Sequence, residues 1–449
     1  MKQISLLKVY EWGLLAVLFL IVLHAPVSVG IGHFFPDVSL IAKAWKEIAL
    51  AILSVIGAVL ITRQKRWREV LNSPFVTLSI LFIDIHLLLA LIMRGDTQSI
   101  VAGLMIDLRF IVMFLLMYVL VLMNPAVVKR VVKTIAAGAM VVVGFGLLQI
   151  LILPDDVLKF IGYSKDTIVP FMTVDTNHDF IRINSTLRGP NPLGALMVVY
   201  GSLAIAYVIL KRHTLQPKKV MGIAGGLIGS VAVLFSSYSR SAYLAAIAAF
   251  AAVFALSRKI SAKAILVMAA AGVIVAITGF FIAQTSWFSN VILHENPEST
   301  VEAKSNEDHV LSVVDGGKRV ASQPFGAGIG STGSASLYDK DSSNDTTIEN
   351  AYLFVAHESG WFGLAVFLAL FGLILTRLWR FRKGNWLAIG VLSSGIGLAI
   401  IGLLLPVWVD DTVSLIWWGL AGVAIASISG IMEGGDAKGT RKQKTTRAA

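Results

Sequence analysis

The chain has 449 residues, of which 56% are hydrophobic and 14% charged, with a mean hydropathy of +0.78 and a net charge of +11. Soluble domains carry about 25% charged residues, so a water-soluble enzyme is excluded. The complete lack of cysteine excludes a disulfide framework and any thiolate metal site. The apolar residues run in unbroken blocks without strand alternation, which predicts an all-α polytopic membrane protein and not a β-barrel.

Blocks of roughly 18–25 apolar residues, each able to cross about 30 Å of hydrocarbon as a helix, predict about 12 transmembrane helices. They fall near 10–31, 46–62, 75–93, 99–123, 130–153, 192–210, 220–236, 241–257, 265–284, 351–376, 386–405 and 412–431. The first follows Lys2 and Lys8 as a signal peptide would, but no small-x-small cleavage pattern follows it, so it is read as a retained helix.

Alternate connections are basic: Arg63 to Arg68, Lys129 to Lys133, Lys211 to Lys219, Arg258 to Lys263, Arg377 to Lys383, and the tail Lys438 to Arg447. All fall on one side of a twelve-span scheme together with the amino terminus, so both termini are predicted to be cytoplasmic. The positive charge is therefore topological and implies no nucleic acid. Of the connections on the other side, two are large: 154–191, and an extracytoplasmic loop at 285–350 between spans nine and ten, long enough to hold its own secondary structure. Three regions follow: helices 1–191, a membrane region 192–431 that includes the large loop, and a basic cytoplasmic tail 432–449.

Four polar constellations stand at the outer ends of spans. Arg182-Ile-Asn-Ser-Thr186-Leu-Arg188-Gly-Pro-Asn191-Pro192 leads into span six. Prolines and an Asn are ordinary helix-start residues, whereas two arginines above a helix amino terminus favour a bound phosphate. Ser236 to Ser241 forms a tight turn around Ser239 and Arg240, and an outer Arg either snorkels to headgroups or has a specific partner. Pro324 to Gly333 is glycine-rich without a P-loop lysine, so nucleotide binding is rejected, and Gly328 and Gly330 are expected to let backbone approach a ligand. Glu349-Asn350-Ala-Tyr352 opens span ten, where Glu349 is either a general base or a helix-end charge. Asp84, His86, Asp107 and Arg109 lie within spans and are expected to pair inside the bundle, with Asp84–Arg109 the expected pair.

In order, these constellations resemble the O-antigen ligase and polymerase superfamily of bacterial envelope proteins. The resemblance covers mainly 182–363 and rests on Arg182 with Gly189-Pro190-Asn191, on Ser239-Arg240, on Pro324 to Gly330, and on Asn350-Ala-Tyr352 with Glu358-Ser-Gly360 and Gly363. It implies metal-independent glycosyl transfer, without cofactor, from an undecaprenyl-diphosphate-linked glycan to the hydroxyl of an acceptor glycan or glycolipid. The transfer would occur at the outer face of the bacterial cytoplasmic membrane. On that basis Arg240, Arg188 and Arg182 are expected to hold the diphosphate, Glu349 to act as base, and Asn350 and His309 to orient substrates. Ser239, Asn191, Tyr352, Gly328 and Gly330 are expected to contact them. Ligases of this family usually carry His and Arg where Glu349 and His309 stand, which counts against lipid A core as the acceptor. Two other classes remain open: a flippase for the lipid-linked saccharide, and a non-catalytic assembly protein.

Overall fold

The computed structural model describes residues 5–93, 95–174, 177–257, 302–338 and 348–446, except for the side chains of 302–310 and 430–446. Among the described residues ten helices are long and apolar enough to cross a membrane: α1 (Leu6–Phe34), α2 (Pro36–Arg63), α3 (Pro74–Ile92), α4 (Thr97–Met123), α5 (Pro125–Leu151), α6 (Pro190–Thr214), α7 (Pro217–Ser236), α8 (Arg240–Ser257), α10 (Ala351–Arg380) and the Asp411–Ser429 part of α12 (Asp411–Thr446). Between them lie α9 (Glu302–Ser322), which belongs to the large loop, and α11 (Trp386–Gly402), which is apolar but shorter. The span expected at 265–284 lies outside the described residues.

Local chemistry sets the helix starts. Proline occupies the first turn of α2, α3, α5, α6 and α7, where its missing N–H is no loss. Asp96, Asn350 and Asn385 cap α4, α10 and α11 by accepting backbone N–H bonds.

The packing core is α12 against α4, with α11, α6 and α8 forming a second closely packed group. Between α12 and α4 an aromatic cluster of Phe110, Phe114, Phe367, Phe371, Trp417 and Trp418 interlocks by tilted and edge contacts. Trp417 and Trp418 are fully buried. In a membrane such packing, and not exclusion of water, drives helix association.

The chain is mostly helical, and within the 154–191 connection β1 (Met172–Val174) and β2 (Asn177–Arg182) form a short antiparallel hairpin. One expectation needs correction. Asp84 and Arg109 do not pair, because Asp84 faces outward while Arg109 points into the bundle, toward Glu47 at 3.4 Å and the carbonyl of Val409. Charge balance among buried groups decided that partner, and span-level sequence reading carried no information on helix rotation.

Candidate functional site at the loop end of the bundle

The first two constellations meet in space. The Arg182 guanidinium donates to Asn191 Oδ1 (2.8 Å) and to the Ser237 carbonyl (3.1 Å), so it joins the start of α6 to the α7–α8 turn. The backbone follows the same route, with Ile183 N donating to the Ser236 carbonyl at 3.2 Å. Ser239 and Ser241 hydroxyls lie 3.2 Å apart within this turn, and Arg240 begins α8 beside them.

Both segments hold a non-glycine residue at positive φ: Ser185 at 49° and Tyr238 at 48°. Such strain persists only where surrounding bonds over-determine it. For Ser185 the bonds are visible: its N–H donates to Gln149 Oε1 (2.8 Å) and its hydroxyl to the Val142 carbonyl (2.7 Å). Asn191, proposed from sequence as a substrate contact, thus has its side-chain oxygen engaged by Arg182.

Arg188 is exposed and faces elsewhere, toward a cluster of charges of which sequence reading singled out only Arg109. Asp411, at the start of α12, receives His24 of α1 (3.3 Å) and Lys46 of α2 (3.2 Å). Lys46 also contacts Glu47 at 3.2 Å, and Glu47 contacts Arg109 of α4 at 3.4 Å. The Trp45 indole N–H donates to His24 Nδ1 at 3.0 Å, which fixes that ring. Arg188 is near enough to act electrostatically on Asp410, Asp411 and His24. Burial, reinforced by the neighbouring Asp411 carboxylate, pushes the Asp410 carboxyl up to about 6. Burial also raises the Tyr163 hydroxyl, and Arg188 offsets part of that shift.

A sequence signal for this cluster existed. His24, Lys46, Glu47, Arg109 and Asp411 are ionisable residues in four different apolar blocks, and in an alternating scheme all lie toward the same membrane face. Ionisable residues inside spans pair with one another because leaving one alone in hydrocarbon is costly.

The glycine-rich segment does something different from binding a nucleotide or lying on the surface. It enters the bundle and docks where α10 is broken at Gly360 (φ 71°, ψ −175°). The break removes the helical bond expected between His357 O and Trp361 N. The segment replaces both halves: Ala327 N donates to the His357 carbonyl (2.6 Å), and Trp361 N donates to the Pro324 carbonyl (2.9 Å). Non-helical backbone at membrane depth is tolerated only when protein satisfies it in this way. Further along, the Ser99 hydroxyl donates to the Gly330 carbonyl at 2.6 Å. A Cβ on Gly330 would lie 2.2 Å from the Ser99 carbonyl oxygen, and its φ of 79° suits glycine alone. Of the glycines expected to admit a ligand, Gly330 thus admits helix α4 and Gly328 faces Met93 at the end of α3, while Gly326 is the one that meets the broken backbone of α10. Gly328 and Gly330 still line a cavity of about 90 Å³ with Leu89, Met93, Asp96 and Ser99.

The fourth constellation is partly committed to structure. Asn350 Oδ1 accepts from Tyr352 N (2.9 Å) and Leu353 N (3.0 Å), while its amide donates to the Leu403 carbonyl (2.9 Å). The Tyr352 hydroxyl donates to the Ala399 carbonyl at 2.9 Å. Glu349 N donates to the Ser312 hydroxyl of α9 at 3.3 Å, which ties the loop helix to the start of α10. His309 belongs to α9, and its side chain lies outside the described residues. Among the described residues no cluster of three or more His, Asp or Glu fits a metal ion.

No family model matches the chain. Nor does any of the curated proteins searched.

Proposed function

We propose that the protein is a membrane glycosyltransferase that passes a saccharide from a polyprenyl-diphosphate carrier to an acceptor hydroxyl, as the resemblance to O-antigen ligases and polymerases implies. The reading includes a twelve-span scheme with the assembled end facing away from the cytoplasm. The observation that carries it is the joining of Arg182 and Asn191 to the Ser236–Ser241 turn, with Arg182 and Ser237 separated by 55 positions in the chain. Three arginines, Arg182, Arg188 and Arg240, then begin or flank helix amino termini at one end of the bundle. Guanidinium forks at helix starts stabilise the pyrophosphate charge that develops as the glycosyl bond breaks.

Two carboxyls compete for the role of base toward the acceptor hydroxyl. Glu349 is the residue expected from its motif. Asp410 is the alternative, since it lies within the field of Arg188 and burial raises its carboxyl to about 6. A base must be ionised, so with Asp410 in that role the rate rises with pH up to about 6 and is flat above it.

A transport reading is favoured by one specific observation, the broken helix α10 with its re-entrant glycine segment. Discontinuous spans of this kind line substrate paths in transporters.

The deciding assay reconstitutes the purified protein in vesicles with lipid-linked oligosaccharide and follows both chain lengthening and transfer between leaflets. Arg240→Ala and Arg188→Ala should each lower lengthening on the order of 100-fold, the scale of losing one preorganised charge contact, while insertion is unchanged. Of Glu349→Gln and Asp410→Asn, the one that abolishes lengthening identifies the base. Translocation without lengthening in the unaltered protein refutes transfer and establishes the transporter.

A further inference from the structure

A second polar cluster lies below the glycine segment and is untouched by the transfer reading. Glu358 of α10, Asp107 of α4 and His86 of α3 are 1%, 8% and 1% exposed. The Glu358 and Asp107 carboxyls are within hydrogen-bond reach of each other. Ionised carboxylate oxygens only accept, so this contact requires a proton on one of the two. Glu358 Oε1 accepts from Thr332 N at 3.4 Å, and the Gly330 backbone also bonds this carboxylate. Glu358 Oε2 and Asp107 Oδ2 are buried and, apart from the proton the two acids share, accept no donor among the described residues.

The histidine's protonation follows from its partner. His86 Nδ1 lies 2.8 Å from the Phe82 carbonyl oxygen, which can only accept, so Nδ1 carries hydrogen and the neutral ring's lone pair is on Nε2. His86, Asp107 and Trp408 line one cavity together with Phe82, Phe110 and Phe354. Its volume, about 10 Å³ measured by the space open to a water's centre, is at the size needed for one water molecule. Trp408 is 2% exposed and its indole N–H has no partner among the described residues. A water there would accept from Trp408 and donate to His86 Nε2 and Asp107 Oδ2, three partners in all.

We propose that Asp107, Glu358 and His86 form a proton-binding site inside the bundle, completed by one water held between Asp107, His86 and Trp408. The proton moves between Asp107 and Glu358 along their contact; to reach His86 it passes from the Asp107 carboxyl to the water, which turns to accept it, as one of the water's own O–H bonds breaks and that hydrogen goes to His86 Nε2. Of the nearby cations, Arg109 is turned to Glu47 and the Val409 carbonyl, and Arg319 of α9 acts on His357, the residue before Glu358. Because the carboxyl that shares the proton also accepts the Thr332 N–H, proton occupancy and docking of the glycine segment are linked.

Infrared difference spectroscopy on the full chain in lipid nanodiscs, titrated between about pH 5 and about pH 9 with and without sodium, reads the site directly. Expected is a protonated-carboxyl C=O band that responds to pH, is indifferent to sodium, and is lost in both Asp107→Asn and Glu358→Gln. His86→Gln, which leaves both carboxyls in place, should shift that band, and it carries the assignment where the carboxyl variants do not fold. Absence of the band in the unaltered protein overturns the proposal. So does a band unchanged in whichever variants fold, or one that sodium removes, which would make this a sodium site. The readout needs no glycan substrate, so its outcome is separate from that of the transfer assay.

Discussion

Helix α4 carries two buried polar clusters two residues apart in sequence, and they are built on opposite rules. Arg109 belongs to a group in which charges of both signs alternate, running Asp411, Lys46, Glu47, Arg109 over contacts of 3.2–3.4 Å, with the neutral His24 ring on Asp411 at 3.3 Å. Asp107 meets Glu358, a second acid, with only backbone N–H groups and a histidine nearby. The first cluster draws four helices together by complementary charge and is a rigid fastening. The second holds like groups together, needs a proton to exist, and has a water-sized cavity beside it. Buried ion pairs often do little for net stability when exchanged whole, but removing one member is severe. Buried acids with no counter-charge more often mark function.

The sharpest way to break this comparison is Asp411→Ala. It leaves His24 and Lys46 without their shared acceptor, and a loss of about 3–5 kcal/mol is expected, read as a lower unfolding midpoint in detergent. A loss under about 1 kcal/mol would show that water or Glu47 takes over and that the cluster is not a fastening.

Next is Gly330→Ala, which leaves the charged cluster alone and strikes the segment above the acid pair. The added methyl meets the Ser99 carbonyl and forces an unfavourable φ, at a cost of about 1–3 kcal/mol. Limited proteolysis should show the segment released, with cleavage appearing near the exposed Phe325. Equal protection in variant and parent would mean the segment is held elsewhere.

The smallest expected effect is Asn350→Ala. As a helix cap it should cost about 1 kcal/mol, with transfer activity reduced in proportion to folded protein. A loss of activity of about 100-fold or more at unchanged stability would return Asn350 to the catalytic set proposed from sequence.

Much of the architecture was legible in the chain itself. Continuous apolar runs locate the helices because hydrocarbon admits no unpaired backbone, and proline and Asx residues mark where they begin. The meeting of Arg182 with Ser237 was signalled by two polar motifs at neighbouring span ends. The sense in which Gly328 and Gly330 are used was not legible, because a glycine that admits a ligand and one that admits a helix leave the same letter. Arg109 makes the same point: its expected partner Asp84 was chosen by hydropathy alone, and the helix rotation that turns it to Glu47 is set by packing against α2 and α12.

Sequence by itself determined that this protein lives in a membrane, how its apolar helices are spaced, and which polar motifs stand at their ends, since each depends on local composition alone. Only the tertiary structure decided that α10 breaks at Gly360 to receive a segment from the loop before it. It also decided that Asp107 meets an acid while Arg109 meets a charged network. Both outcomes depend on which faces of distant helices turn toward each other, and that is fixed by packing across the whole bundle.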